Sequence, residues 1–154
     1  MSVKKEFESQ YSGQIMLDKE GNWFYENEPI THQLTVELFS RSVFKDPEGG
    51  YRLVVEPEWA RIIVEDTPYM VRTVRWADEK AMLILNDKTT EELDPTTLWV
   101  GKDNVLYCMV KNNEYPARFL RSAYYELMKN LVQKHKKYFL KIGDQLYPLE
   151  ERKE

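Results

Sequence analysis

Residues 51–75, YRLVVEPEWARIIVEDTPYMVRTVR, carry the strongest β pattern in the chain and its least ordinary motif, Val64-Glu65-Asp66-Thr67-Pro68-Tyr69. Val, Ile and Tyr suit a pleated, half-buried surface. Pro57 and Pro68 cannot donate to a ladder, so they mark strand ends or edges. The stretch predicts three strands, over 51–55, 60–64 and 69–75.

Working outward, residues 14–18 and 23–26 read as a hairpin around Gly21 and Asn22, which accept a left-handed turn. Pro29 stops it. Thr31 is the expected N-cap of a helix running to about Val43, with Val36, Phe39 and Val43 on one stripe. Asp46-Pro47-Glu48-Gly49-Gly50 breaks the chain before the central strands. Beyond them, 81–85 predicts a strand, 86–95 a polar segment with room for one helical turn, and 98–100 with 105–111 a hairpin. Pro116 is expected to open a long helix to about Lys136, since Leu120, Ala123, Tyr124, Leu127, Met128 and Leu131 share one face. Lysines 134, 136 and 137 would then oppose the negative end of its dipole. A last hairpin, over 138–142 and 145–149, precedes a charged tail.

Hairpin, Pro, helix, hairpin thus occurs twice, and Pro29 precedes Tyr51 by the interval that separates Pro116 from Tyr138. The expectation is a duplicated motif, with halves at 14–56 and 98–149 around a central sheet over 51–86, all inside one α+β domain spanning 13–150 behind a flexible tail over 1–12. Short hairpin connections imply mostly antiparallel sheets with two main helices.

A chain of 154 residues buries enough surface for a core without metal or disulfide. The net charge of −4 disfavours a general nucleic-acid binder, which needs clustered Lys and Arg. The lone Cys108 excludes an internal disulfide and a Cys-rich metal site. No apolar run reaches the ~20 residues of a membrane span, and the first residues lack the apolar middle of a secretory signal. The expected setting is cytoplasmic, with no membrane and no nucleic-acid partner.

For chemistry, Glu65 and Asp66 are adjacent carboxylates beside a turn, with Glu58 on the strand before them. Adjacent strand residues face opposite ways, so convergence is not built in. His32 and His135 are read on helices, without His-x-x-x-His spacing. Cys108 reads as a buried strand thiol. No nucleophile elbow, phosphate loop or dinucleotide fingerprint occurs, so no catalytic residue, metal ligand or cofactor is assigned. Arg41, Arg61, Arg72, Arg75 and Arg121 could grip an anion, and Trp23, Trp59, Tyr69 and Trp76 could anchor a partner.

Gly21-Asn22-Trp23-Phe24-Tyr25, then Pro29-Ile30, Leu38-Phe39-Ser40, Tyr51-x-Leu-Val and Val64-Glu65-Asp66-x-Pro68-Tyr69 resemble the bacterial family catalogued as domain of unknown function 1285. Tyr124-Tyr125-Glu126-Leu127 and Tyr147-Pro148-Leu149 are similar too, so the resemblance spans about 14–149. The segment after the Glu-Asp-x-Pro strand is shorter here than the family pattern. The resemblance implies an α+β fold with repeated motifs and a role in signalling, and it brings no catalytic residues. The reading that follows is a non-enzymatic module binding a protein or small-molecule ligand through Trp23, Trp59, Arg61, Glu65 and Asp66, with self-association open to it. The alternative is a small hydrolase or metal-dependent enzyme using Glu58, Glu65 and Asp66.

Overall fold

The computed structural model describes residues 13–152, so the expected tail over 1–12 lies outside it. These residues fall into two compact units, the first ending at Pro68 and the second beginning at Tyr69.

The first unit holds β1 (Ile15–Leu17), β2 (Trp23–Tyr25), β3 (Glu28–Pro29), α1 (Gln33–Ser40), β4 (Val43–Lys45), β5 (Tyr51–Val55) and β6 (Glu58–Val64). Its strands form one sheet in the order β3-β2-β1-β6-β5-β4. Two antiparallel meanders meet at a parallel seam, with Met16 opposite Ile63 and Leu17 opposite Val64. Alternation along each strand sorts the two faces. Val43, Leu53 and Ala60 stand opposite one another across β4, β5 and β6, and all three are buried. Phe44, Arg52 and Arg61 form the neighbouring row, on the other face.

The second unit holds β7 (Tyr69–Ala77), β8 (Lys80–Leu85), β9 (Thr90–Glu92), β10 (Trp99–Val100), β11 (Leu106–Val110), β12 (Tyr115–Phe119), α2 (Arg121–Leu127), β13 (Leu131–Lys134), β14 (Lys137–Ile142) and β15 (Gln145–Pro148). Six strands form a sheet in the order β10-β11-β12-β7-β8-β9, and β13-β14-β15 form a second, three-stranded sheet. The core uses the inward positions of β8 (Ala81, Leu83, Leu85) and β11 (Leu106, Cys108, Val110), closed by Ala123 and Leu127 of α2 and by Leu140. In β7 the alternation breaks: Tyr69, Met70 and Val71 are all buried, and the register shifts between Val71 and Thr73. Asn86 secures this irregular end, accepting from Met70 N through Oδ1 at 3.0 Å while its own N–H donates to Met70 O.

The architecture is α+β, mostly antiparallel, with two α-helices among the described residues. Three expectations need correction. The central sheet read over 51–86 is divided, because β6 turns to β1 and β7 to β12, with the buried Thr67-Pro68 break between them. The first helix starts later and stops sooner than expected, with His32 rather than Thr31 at its N-cap and Val43 already in a strand. The second is much shorter. Pro116 lies inside β12, and the lysines from Lys134 on flank a hairpin turn at His135 and Lys136, whose φ values are 52° and 69°. Cross-strand pairing of Val132 with Phe139 outcompetes the helical periodicity there, so no helix dipole meets those lysines.

Both expected halves do contain hairpin, helix and hairpin in that order. The closer likeness lies elsewhere. Counting strands within each six-stranded sheet, residues 15–64 and 69–119 share the order third, second, first, sixth, fifth, fourth, with the parallel seam in the same place.

Candidate functional site

The residues singled out by sequence do not gather in one place. Trp23 is 1% exposed. Its indole Nε1 donates to Ser40 Oγ at 3.1 Å, and its ring meets Phe39 edge-on at 5.4 Å. It is a core residue that ties α1 to the sheet and cannot face a ligand.

Glu65 fastens a turn. Its carboxylate accepts the Lys19 N–H at 2.9 Å, and its own N–H donates to Leu17 O, extending the parallel seam past β6. Asp18 organises the same turn, accepting from the N–H groups of Glu20 and Asn22 at 2.9 and 2.8 Å, while Gly21 takes φ 90°. Asp66 is half-buried and engaged in an interaction of its own, before the buried Thr67. Glu58 opens β6 at the end away from Glu65. At about 3.3 Å per residue the two carboxylates stand on the order of 20 Å apart along the strand. Among the described residues, no three His, Cys, Asp or Glu side chains are grouped to hold a metal ion.

Trp59 and Arg61 do come together, around a residue that sequence reading treated only as a breaker. Asp46 follows β4, and its side chain is 1% exposed. It accepts from Arg61 Nε at 2.8 Å, from Arg52 Nη2 at 3.1 Å and from the Glu48 N–H at 3.2 Å. The Glu48 N–H, with both guanidinium hydrogen bonds, holds the carboxyl below its ordinary pKa against the opposing effect of burial. Arg52 and Arg61 are opposite each other on β5 and β6. Their guanidinium carbons lie 4.2 and 5.1 Å from the centre of the Trp59 ring. Arg52 Nε is buried without an acceptor, while Arg61 remains 49% exposed. On the same face Phe44 is 46% and Ile63 43% exposed.

The remaining candidates are scattered. His32 contacts Thr35 Oγ1 at 3.0 Å on the first turn of α1, and His135 is exposed in a hairpin turn rather than on a helix. Arg41, Arg72, Arg75 and Arg121 are exposed. Cys108 is fully buried, and burial, with Glu91 and Asp94 near it, pushes its thiol pKa up, away from nucleophilic use.

Sequence reading missed one charged cluster. Lys111 Nζ pairs with Asp87 at 2.7 Å and donates to Thr89 Oγ1 at 3.0 Å, above the Tyr69 ring at 5.1 Å. The Asp87 side chain is 2% exposed. Burial first, then the negative Asp87, pushes the Tyr69 phenol up. Asp87 and Thr89 were legible only as part of the polar segment over 86–95, and nothing local pointed to Lys111.

Residues 6–67 match the family model described as the N-terminal domain of DUF1285, a domain of unknown function. A solved DUF1285 family protein from Silicibacter pomeroyi DSS-3 is 22% identical, covering 88% of this chain and 79% of its own, with a TM-score of 0.72. Another from Shewanella baltica OS155 is 18% identical, covering 76% of this chain and 91% of its own, with a TM-score of 0.61. No curated protein matches the chain. The resemblance read from the sequence therefore holds, and both solved proteins share the fold.

Proposed function

Starting from that likeness to the DUF1285 family, we propose that the chain is a non-enzymatic, cytoplasmic binding module serving signal transduction, and that it engages a protein partner through the open face of β4, β5 and β6. One observation carries the reading: Trp59 lies against two guanidiniums that a buried carboxylate orients, on a face that also presents Phe44 and Ile63. Tryptophan and arginine are the residue types that dominate binding energy in protein interfaces. Side chains already held in place lose less freedom on association. The exposed apolar neighbours supply area around that centre. Glu65 and Asp66, past the end of β6, lie at the edge of this surface in the chain and contribute to its rim.

The test is photo-crosslinking in the native host cell. A benzophenone amino acid replaces Phe44 or Ile63, with Tyr125 as an exposed control position. The expected result is one discrete adduct from positions 44 and 63, lost when Arg61→Ala and Trp59→Ala are added. Adducts at position 125 alone, or adducts that survive both substitutions, would overturn the reading.

A further inference from the structure

The second unit contains a cavity of about 470 Å³. It lies between the β10–β11 end of the six-stranded sheet, α2 and the three-stranded sheet, and no residue singled out for binding from the sequence lines it. Its volume falls in the range of small-molecule sites, roughly 300–1,000 Å³. Leu106, 2% exposed, lies deepest, with Val100, Met128 and Leu149 half-buried around it. Leu131 and Tyr138, 40% and 49% exposed, stand at the mouth. Tyr124 adds a second aromatic ring.

The formal charge on the wall is of one sign. Asn104 and Glu151 complete the lining, so among the described residues Glu151 carries its one formal charge. The backbone around Glu151 is tied down: Val100 N donates to Glu150 O at 2.9 Å, and Arg152 N donates to Val100 O at 2.8 Å. The neighbouring cation is turned aside, with the Arg152 guanidinium 4.1 Å from the centre of the Trp99 ring. Lys102 and Arg152 line an adjoining depression, which shares Val100, Asn104 and Glu151 with the cavity.

A lining of aliphatic side chains with two tyrosines and one carboxylate on a tied backbone favours a ligand with an apolar body and a single positive head. A carboxylate attracts a cation, and aromatic rings favour one over their negative faces. We infer that this cavity binds a small hydrophobic amine. The inference concerns a different surface from the Trp59–Arg61 face and stands or falls separately.

Three probes with one body and different heads test it: 4-phenylbutylamine, 4-phenylbutanol and 4-phenylbutyrate. Binding is read from the methyl NMR signals of Met128, Leu131 and Leu149 in the full chain. The amine is expected to shift all three and to bind roughly fivefold more tightly than the alcohol, a partly exposed ion pair's worth. The carboxylate should be weakest. Glu151→Gln, at an exposed position, should bring amine and alcohol to equal affinity. Leu131→Arg, which puts a cation at the mouth, should abolish amine binding. Absence of shifts for every probe, shifts confined to other methyls, carboxylate binding as tight as amine binding, or a head-group preference unchanged by Glu151→Gln would each overturn the inference.

Discussion

Asp46 shows how much one side chain can organise. A carboxylate with 1% of its side chain exposed would be costly if unpaired. The Glu48 N–H and two guanidiniums offset that cost and lower its pKa beneath the ordinary 3.8. A depressed carboxylate contributes stability that is fully present above its unfolded pKa and lost as pH falls through its folded one. Asp46→Asn should therefore lower the urea midpoint at pH 7. The gap to the wild type should narrow as the pH is taken below 3.8. A gap that stays constant down to strong acid would show that the charge is not what matters. Trp59 and Arg61 were legible as candidates because tryptophan can anchor a partner and arginine can grip an anion wherever they stand. Asp46 was legible only as a turn former, because its partner Arg61 is fifteen positions away and no local pattern encodes that distance.

At the scale of the element, residue pattern and outcome agree best where contacts are local. Residues 51–55 form the strand expected, and the neighbouring strands differ from expectation only at their ends. Leu120, Ala123, Tyr124 and Leu127 do lie on a helical turn or its cap. The expected helix ran too far because apolar residues at 128, 131 and 132 continue a helical spacing that a hairpin also satisfies. The hairpin β10–β11 gives a sharper test. Trp99 and Tyr107 are cross-strand partners whose rings stack 5.2 Å apart, at 13°. A Cβ added at Gly101 would come within 2.7 Å of Tyr107 Cε2. Gly101→Ala should push that ring off Trp99 and cost about 1–3 kcal/mol by overpacking. Urea unfolding with near-UV circular dichroism measures both effects, and an unchanged midpoint with an unchanged aromatic spectrum would count against the account.

Across the whole molecule, each six-stranded sheet joins two antiparallel meanders by one parallel seam, β1 to β6 and β7 to β12. Each seam pairs the first strand of its sheet with the last in sequence, so it brings together residues far apart in the chain. No helix among the described residues is long and apolar enough to cross a membrane. The chain carries a net charge of −4 with a pI near 5.4. Solubility should be lowest near that pH and recover on either side as like charges repel again. Turbidity across a pH series checks this, and a minimum displaced well away from pH 5.4 would mean that apolar patches rather than net charge control association.

What the sequence by itself determined is what neighbours in the chain decide: the strands over 51–75, the turns at Asp18 and Asp46, and an α+β class with mostly antiparallel pairing. Backbone propensity, side-chain alternation and turn chemistry act over a few residues, so they can be read there. Only the tertiary structure decided which strands share a sheet and that Trp23 is core while Trp59 is not. It alone joined Glu65 to Lys19 and Lys111 to Asp87, and enclosed a cavity beside Glu151. Each of these depends on pairing between segments well separated in the chain. Their closeness is set by how the sheets close, and no periodicity within a single segment carries it.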